Sequence, residues 1–256
     1  MDFAEITGHF FLMFLRISAL FTVSPIFGRR NTPSIAKIGL ALFLTYILAG
    51  VYSPTVNLAD KNLLEFFILC AGQICVGLIM GLVTTFYFSA AVTAGQIIDM
   101  QIGFSIASVY DPQYGTPVPL VGNLLNITLL LCFFLADGHH VLLRIIGESF
   151  RVIPVGGVVI SPHIAAAFTE IFIKTFILAV RVAMPVMAAA LVSEVVIGVL
   201  MRVVPQLNFF VVGFPVKIGV GLAVLFGMIP VFVNMSASIF DEMAGAVQKI
   251  YEGMSP

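Results

Sequence analysis

Residues 95–122 read GQIIDMQIGFSIASVYDPQYGTPVPLVG, and this stretch decides how the rest of the chain is read. It opens on a helix in which Thr93, Gln96 and Asp99 recur every third residue, so one helical face turns polar. Small and apolar residues follow at Gly103, Phe104, Ser105 and Ile106. Tyr110-Asp111-Pro112-Gln113-Tyr114-Gly115-Thr116-Pro117-Val118-Pro119 then packs three prolines into eight residues, which rules out a regular helix. Apolar helical runs flank the stretch. Irregular backbone between such helices has to be buried in protein or line a watery cavity, because lipid satisfies neither its N–H nor its C=O groups. The plainer alternative is a solvent loop between two spans. The apolar content and the lack of Lys and Arg favour a loop tucked into a protein-lined passage.

Composition agrees. Of 256 residues, 60% are hydrophobic and 10% charged, against about 25% charged in a soluble domain. Mean hydropathy is +1.12. The chain is expected to be all-α, an integral membrane-type helical protein forming one unit with no soluble domain. A net charge of −1 gives nucleic acid nothing to bind. Cys70, Cys75 and Cys132 sit inside apolar runs, where small core packing is expected rather than a disulfide framework. The acidic start, Met1-Asp2-Phe3-Ala4-Glu5, lacks the basic region of a secretory signal, so the first helix is expected to be retained.

In chain order, a first helix over about 3–24 carries Arg16 near its middle. A charge there costs about 2.5–3.5 kcal/mol to insert, so it should face protein or water and find a partner. Arg29, Arg30 and Lys37 follow with no acid among them, which places that loop on the cytoplasmic side and the N-terminus outside. A second helix covers about 34–52. Phe66 to Ile98 is uncharged, and within it Gln73, Gly77, Gly81, Thr85 and Ser89 fall every fourth residue. Small residues at that spacing let helices approach closely. After the central loop, Leu120–Ala136 is a helix of marginal length. Asp137, His139 and His140 put three ligand types in four residues, a strained set with no further His or Cys placed to complete it, so a polar helix cap is the expected role and no metal is. Residues 141–165 read as a short amphipathic helix and a turn.

The last hairpin begins near Ala165. Glu170 and Lys174 stand in the favourable i,i+4 order, and Arg181 follows on the same face. Kinks are expected at Pro185 and Pro230. Glu194, in apolar surroundings, needs a cation. Arg202 and Lys217 bracket a tip, Arg202-Val-Val-Pro205-Gln206-Leu-Asn208-Phe-Phe-Val-Val-Gly213-Phe214-Pro215-Val-Lys217, that should be cytoplasmic. A final helix over about 216–240 leads into a short amphipathic tail, 241–256.

At these residues a resemblance becomes specific. The tip pattern Arg202-xx-Pro205-Gln206-x-Asn208-xxxx-Gly213-Phe214-Pro215-x-Lys217 resembles that of the FliR/SctT family of type III secretion export gate proteins. The likeness extends through Arg16…Pro25-x-Phe27-Gly28, Gly95-xxx-Asp99-x-Gln101-x-Gly103-Phe104, Asp111-Pro112 and Gly138-His139…Ser149…Pro154-x-Gly156, nearly the whole chain. Arg181-Val-Ala-Met-Pro185 to Lys217 also resembles the two-helix FliQ subunit. The resemblance implies a FliP-like part over 1–164, with a central plug loop at about 103–118, and a FliQ-like hairpin over 165–240. It implies a hetero-oligomer with FliP and FliQ, contacts to FlhB and FlhA, and passage of unfolded export substrates, in the bacterial inner membrane at the flagellar basal body. It implies too that apolar helices face one another more than membrane lipid.

Three classes of function compete on these residues. A secondary transporter predicts paired repeats with broken helices in both halves, and no internal repeat is visible. An intramembrane enzyme needs a positioned nucleophile and base, and Asp99, Asp111 and Asp137 share no such frame. A non-enzymatic export-gate subunit, flagellar rather than virulence-type, fits best, with no cofactor. The expected sites are three. The pore plug comprises Gly103, Phe104, Ser105, Ile106, Tyr110, Asp111, Pro112 and Pro117. A cytoplasmic partner is contacted by Arg202, Pro205, Gln206, Asn208, Phe214, Pro215 and Lys217. The charges Arg16, Lys174, Arg181 and Glu194 are buried and paired within the assembly.

Overall fold

A computed structural model describes residues 3–28, 32–52, 61–104, 119–159, 161, 163–206 and 209–255. All regular structure in them is helical, as the sequence leads one to expect: α1 (Phe3–Val23), α2 (Ser34–Ala49), α3 (Leu63–Ile102), α4 (Leu120–Leu135), α5 (Gly138–Val152), α6 (His163–Val203), a π-helical turn at Phe209–Gly213, and α7 (Phe214–Glu252). Among the described residues, four segments are long and apolar enough to cross a membrane: Glu5–Val23, Leu63–Ile102, Ile164–Val203 and Val211–Glu252. The last three, at 40, 40 and 42 residues, have contours of about 60 Å, twice a hydrocarbon core of about 30 Å. One crossing per helix therefore leaves about half of each outside hydrocarbon.

One boundary differs from the sequence reading. α6 and α7 run through Pro185 and Pro230, as the helix bounds read from the sequence require. The expected separate tail, 241–256, is the end of α7 as far as Glu252, because no proline falls between Val231 and Ser255 to stop the helix. By packing, the chain divides into two units. The first comprises Met1–Tyr87, Asp137–Phe172 and Phe240–Pro256, and the second Phe88–Ala136 and Ile173–Ile239.

In the first unit α1 runs parallel to α3, and the small-residue stripe is the contact line. A Cβ on Gly77 would stand 2.2 Å from the Arg16 carbonyl oxygen, and one on Gly81 would stand 3.0 Å from that of Leu20. Thr85 Oγ1 donates to Val23 O at 2.9 Å. Glycine and a small hydroxyl thus allow a backbone-to-backbone approach that larger residues would prevent. Leu12, Met13, Ile17 and Phe21 fill the α1 side of this core. The C-terminal segment is tied in by Val159 N–H to Met254 O at 3.1 Å, and by Lys249 donating to Glu170 at 2.5 Å.

In the second unit the end of α3 meets α4 and the start of α7. Phe88 and Phe133 pack edge to face, 5.8 Å between centroids. Gly95 opposes Gly122 so closely that a Cβ on Gly95 would lie 2.2 Å from the Gly122 Cα, and Gly221 leaves room for Ile102. Large apolar side chains still face outward, among them Ile35, Phe43 and Tyr46 of α2 and Val192, Val195 and Val199 of α6. Cys132 is buried, but Cys75 faces outward rather than into the core.

Candidate functional site

Arg16 is the most tightly built polar centre. Its side chain is 1% exposed. Its Nε donates to Gln73 Oε1 at 2.7 Å, Nη1 donates to the Ser149 carbonyl at 3.0 Å, and Nη2 donates to the Ile153 carbonyl at 2.9 Å. The guanidinium carbon also lies 4.2 Å from the Phe150 ring centroid. Ser149 and Ile153 lie at the C-terminal end of α5, the negative end of its dipole, and the Ser149 carbonyl also accepts from Ile153 N–H at 2.9 Å. The counter-charge of Arg16 is thus a helix end rather than a carboxylate. Three helices, α1, α3 and α5, meet on one side chain. The sequence marked Arg16 as needing a partner; it gave no sign of which, since every residue carries a carbonyl.

The other three expected buried charges lie elsewhere. Lys174 and Arg181 are exposed on α6. Glu194 is 44% exposed and paired with Lys217 across the hairpin, so the two arms are joined by a residue assigned to the tip. Glu170 is held by Lys249 of α7.

The stems of the central loop are clamped within the second unit. Asp99, 4% exposed, accepts from Val121 N–H at 3.1 Å and from Gly122 N–H at 3.5 Å. Pro119, at the cap position of α4, provides no side-chain acceptor. Asp99 supplies the missing N-cap from another helix, its charge facing the positive end of the α4 dipole. Gly103 stands at φ +100°, a left-handed backbone suited to glycine, and a Cβ there would come within 2.8 Å of Phe214 Cε1. The first expected plug residue and one expected tip residue are therefore neighbours, which neither motif shows alone. Phe104 lies at the edge of the described residues. Ser105, Ile106, Tyr110, Asp111, Pro112, Pro117 and Asn208 lie outside them, as do Arg29 and Arg30. At the tip, Arg202, Pro205, Gln206 and Pro215 are exposed, and Phe214 and Lys217 are half-buried.

Ligand atoms of Asp137, His139 and His140 lie within 4.8 Å of one another. Asp137 occupies the cap position of α5 at φ 53°, a left-handed conformation that Asp tolerates, and its carboxylate accepts from His140 Nδ1 at 3.2 Å. The positive end of a helix dipole opposes a cation there. The hydroxyls of Ser149 and Ser193 donate to carbonyls of their own helices, Ile146 and Ala189.

Overlong apolar helices, the clamped facing ends of α3 and α4, and the buried Arg16 guanidinium define a membrane-type helical class of protein. The chain belongs to the bacterial export proteins, family 1, whose profile matches residues 7–243. It is 36% identical over 239 residues to the flagellar biosynthetic protein FliR of Bacillus subtilis (strain 168), covering 91% of this chain and 90% of that one. It is 30% identical to the protein of the same name from Escherichia coli (strain K12), covering 91% and 89%. The Pectobacterium carotovorum FliR is also 30% identical, with 99% and 97% covered.

Proposed function

We propose that this chain is a subunit of the flagellar protein-export gate in the bacterial inner membrane, built with FliP- and FliQ-type subunits, in which the loop at 103–118 closes the path for unfolded substrates until export begins. The role is structural and conductive rather than enzymatic. The observation that carries this reading is the double anchoring of the loop: Asp99 fixes α4 to the end of α3, and Gly103 rests on Phe214 beside the tip. A plug must be held at its base while its middle moves, and anchored stems supply that. Small residues at Gly103, Ser105 and Ala107 give flexibility, Phe104 and Ile106 give apolar bulk for closure by dewetting, and Pro112 and Pro117 stiffen the return.

The tip, with Pro205 and Gln206 at its crown, is assigned to a cytoplasmic partner of the FlhB type. The Gly103–Phe214 contact offers that partner a route to the plug base. The outward apolar faces of α2 and α6, with Lys174 and Arg181, are assigned to neighbouring gate subunits, which would cover their charges on assembly. Flagellar export is preferred to a virulence system because the relatives above are flagellar proteins.

The test replaces residues 106–115 with a short Gly-Ser linker and measures ion conductance in cells that assemble the complex. The expected result is retained assembly with raised conductance. An intact gate that stays tight refutes the plug. A photoreactive residue at Gln206 tests the tip, and labelling of lipid or water alone would sink that contact.

A further inference from the structure

The buried side of α7 near the tip follows a spacing of three and four residues. Gly221, Leu225, Met228 and Phe232 lie buried on it, and the half-buried Phe214 begins it. The place between Phe214 and Gly221 on that stripe belongs to Lys217, whose side chain is 12% exposed. An ammonium therefore stands where the pattern calls for an apolar residue. Its partner is Glu194 of α6. Within the second unit Glu194 is the one acid of α6 and Lys217 the one charge of α7, so no other ion pair can join these two arms there.

The neighbours of Lys217 on the stripe both touch the end of α3. One turn before it, Phe214 lies against Gly103. One turn after it, Gly221 leaves room for Ile102, whose Cγ1 would stand 2.6 Å from a Cβ there. The arms themselves have little to fix their alignment. Val196, Ile197, Val216 and Val220 line a shared groove, and apolar surfaces of this kind bury similar area when slid by a turn. A slide of one turn is about 5.4 Å, enough to carry Phe214 off Gly103. An ion pair at such a site adds little net stability over apolar residues of similar volume, yet it is satisfied in one register only. We propose that the Glu194–Lys217 pair is the positioning element of the loop stem: it fixes the register of α7 on α6 and so holds Phe214 and Gly221 against the end of α3. Lys217 then serves inside the hairpin, and the crown at Pro205 and Gln206 is left to a protein partner. The consequence for closure rests on the plug reading above; the positioning role does not.

The test uses the full chain in its assembly. Lys217→Met keeps an apolar stem and leaves Glu194, 44% exposed, to water; Glu194→Gln removes the charge from the other arm. Hydrogen exchange is read at the Gly103 amide, which donates to Asp99 O at 3.1 Å, beside ion conductance in cells and thermal unfolding. Each variant should lose about tenfold in protection at Gly103, within the coupling found for groups in contact. Unfolding of Lys217→Met should move little, because an apolar residue suits the stripe. Combining Glu194→Lys with Lys217→Glu should restore protection. Wild-type protection in both single variants overturns the proposal, and so does a charge exchange that restores nothing. Protection lost throughout the chain, rather than at the end of α3, marks a merely structural role and overturns it as well. Lost protection at Gly103 with raised conductance supports both the positioning role and the plug. The same loss with conductance unchanged upholds the positioning role and refutes the plug.

Discussion

Gly103→Ala is the sharpest perturbation available. The position sits at φ +100°, where an L side chain costs about 1–2 kcal/mol in backbone strain. The new methyl would also meet Phe214 Cε1 at 2.8 Å, too close for carbon, and the ring must shift. Forcing extra volume into a packed site costs about 1–3 kcal/mol. Together these give about 2–5 kcal/mol. Gly39→Ala is the control, because nothing lies within 4 Å of its Cβ position in α2; there alanine should gain up to about 1 kcal/mol of helix propensity. Phe214→Leu should relieve the steric part while leaving the backbone part. A double-mutant cycle between Gly103→Ala and Phe214→Leu is therefore expected to show a coupling of about 0.5–3 kcal/mol. The assay is thermal unfolding of the purified assembly, read beside its yield. If Gly103→Ala behaves like Gly39→Ala, or the cycle shows no coupling, the stem–tip contact is not as described.

Two further substitutions test the clamps. Arg16→Met should cost about 3–5 kcal/mol in the same unfolding assay, since it removes the donor to Gln73 Oε1 and to the Ile153 carbonyl and the charge facing the end of α5; an effect below 1 kcal/mol would refute the helix-end pairing. Arg16→Lys should rescue only part of it, because one ammonium cannot reach the same spread of acceptors. Asp99→Asn keeps an acceptor but loses the charge facing α4, and should cost about 0.5–2 kcal/mol, whereas Asp99→Leu should cost more. Hydrogen exchange at the Val121 and Gly122 amides should report the loss locally, and unchanged protection there would refute the cap.

The helical class and a close helix contact along α3 could be read from residues alone, though not that α1 is the partner. A four-residue spacing of Gln73, Gly77, Gly81 and Thr85 is a geometric instruction, and those residues meet Arg16, Leu20 and Val23 as it directs. Ser89 shares the spacing but lies outward, in the part of α3 that belongs to the second unit. What could not be read is partnership across long separations. Glu194 needed a cation, and three were close in sequence terms; Lys217 is selected by how the hairpin folds back. The cap from Asp99 to α4 was hidden because the usual signal, a polar residue just before the helix, is replaced there by Pro119. The end of the last helix was misjudged because a change from apolar to amphipathic pattern looks like a boundary even where the backbone continues.

The binding of Arg16 by Ser149 and Ile153 also sets a timetable for synthesis. The acceptors lie 133 and 137 residues downstream of the guanidinium. At roughly 5–20 residues per second, the ribosome delivers them about 7–30 s after Arg16 itself. Until then α1 carries an uncompensated cation that hydrocarbon does not tolerate. The first helix of the chain therefore cannot settle first. It has to remain hydrated, or in the care of the insertion machinery, until α5 has emerged to receive it.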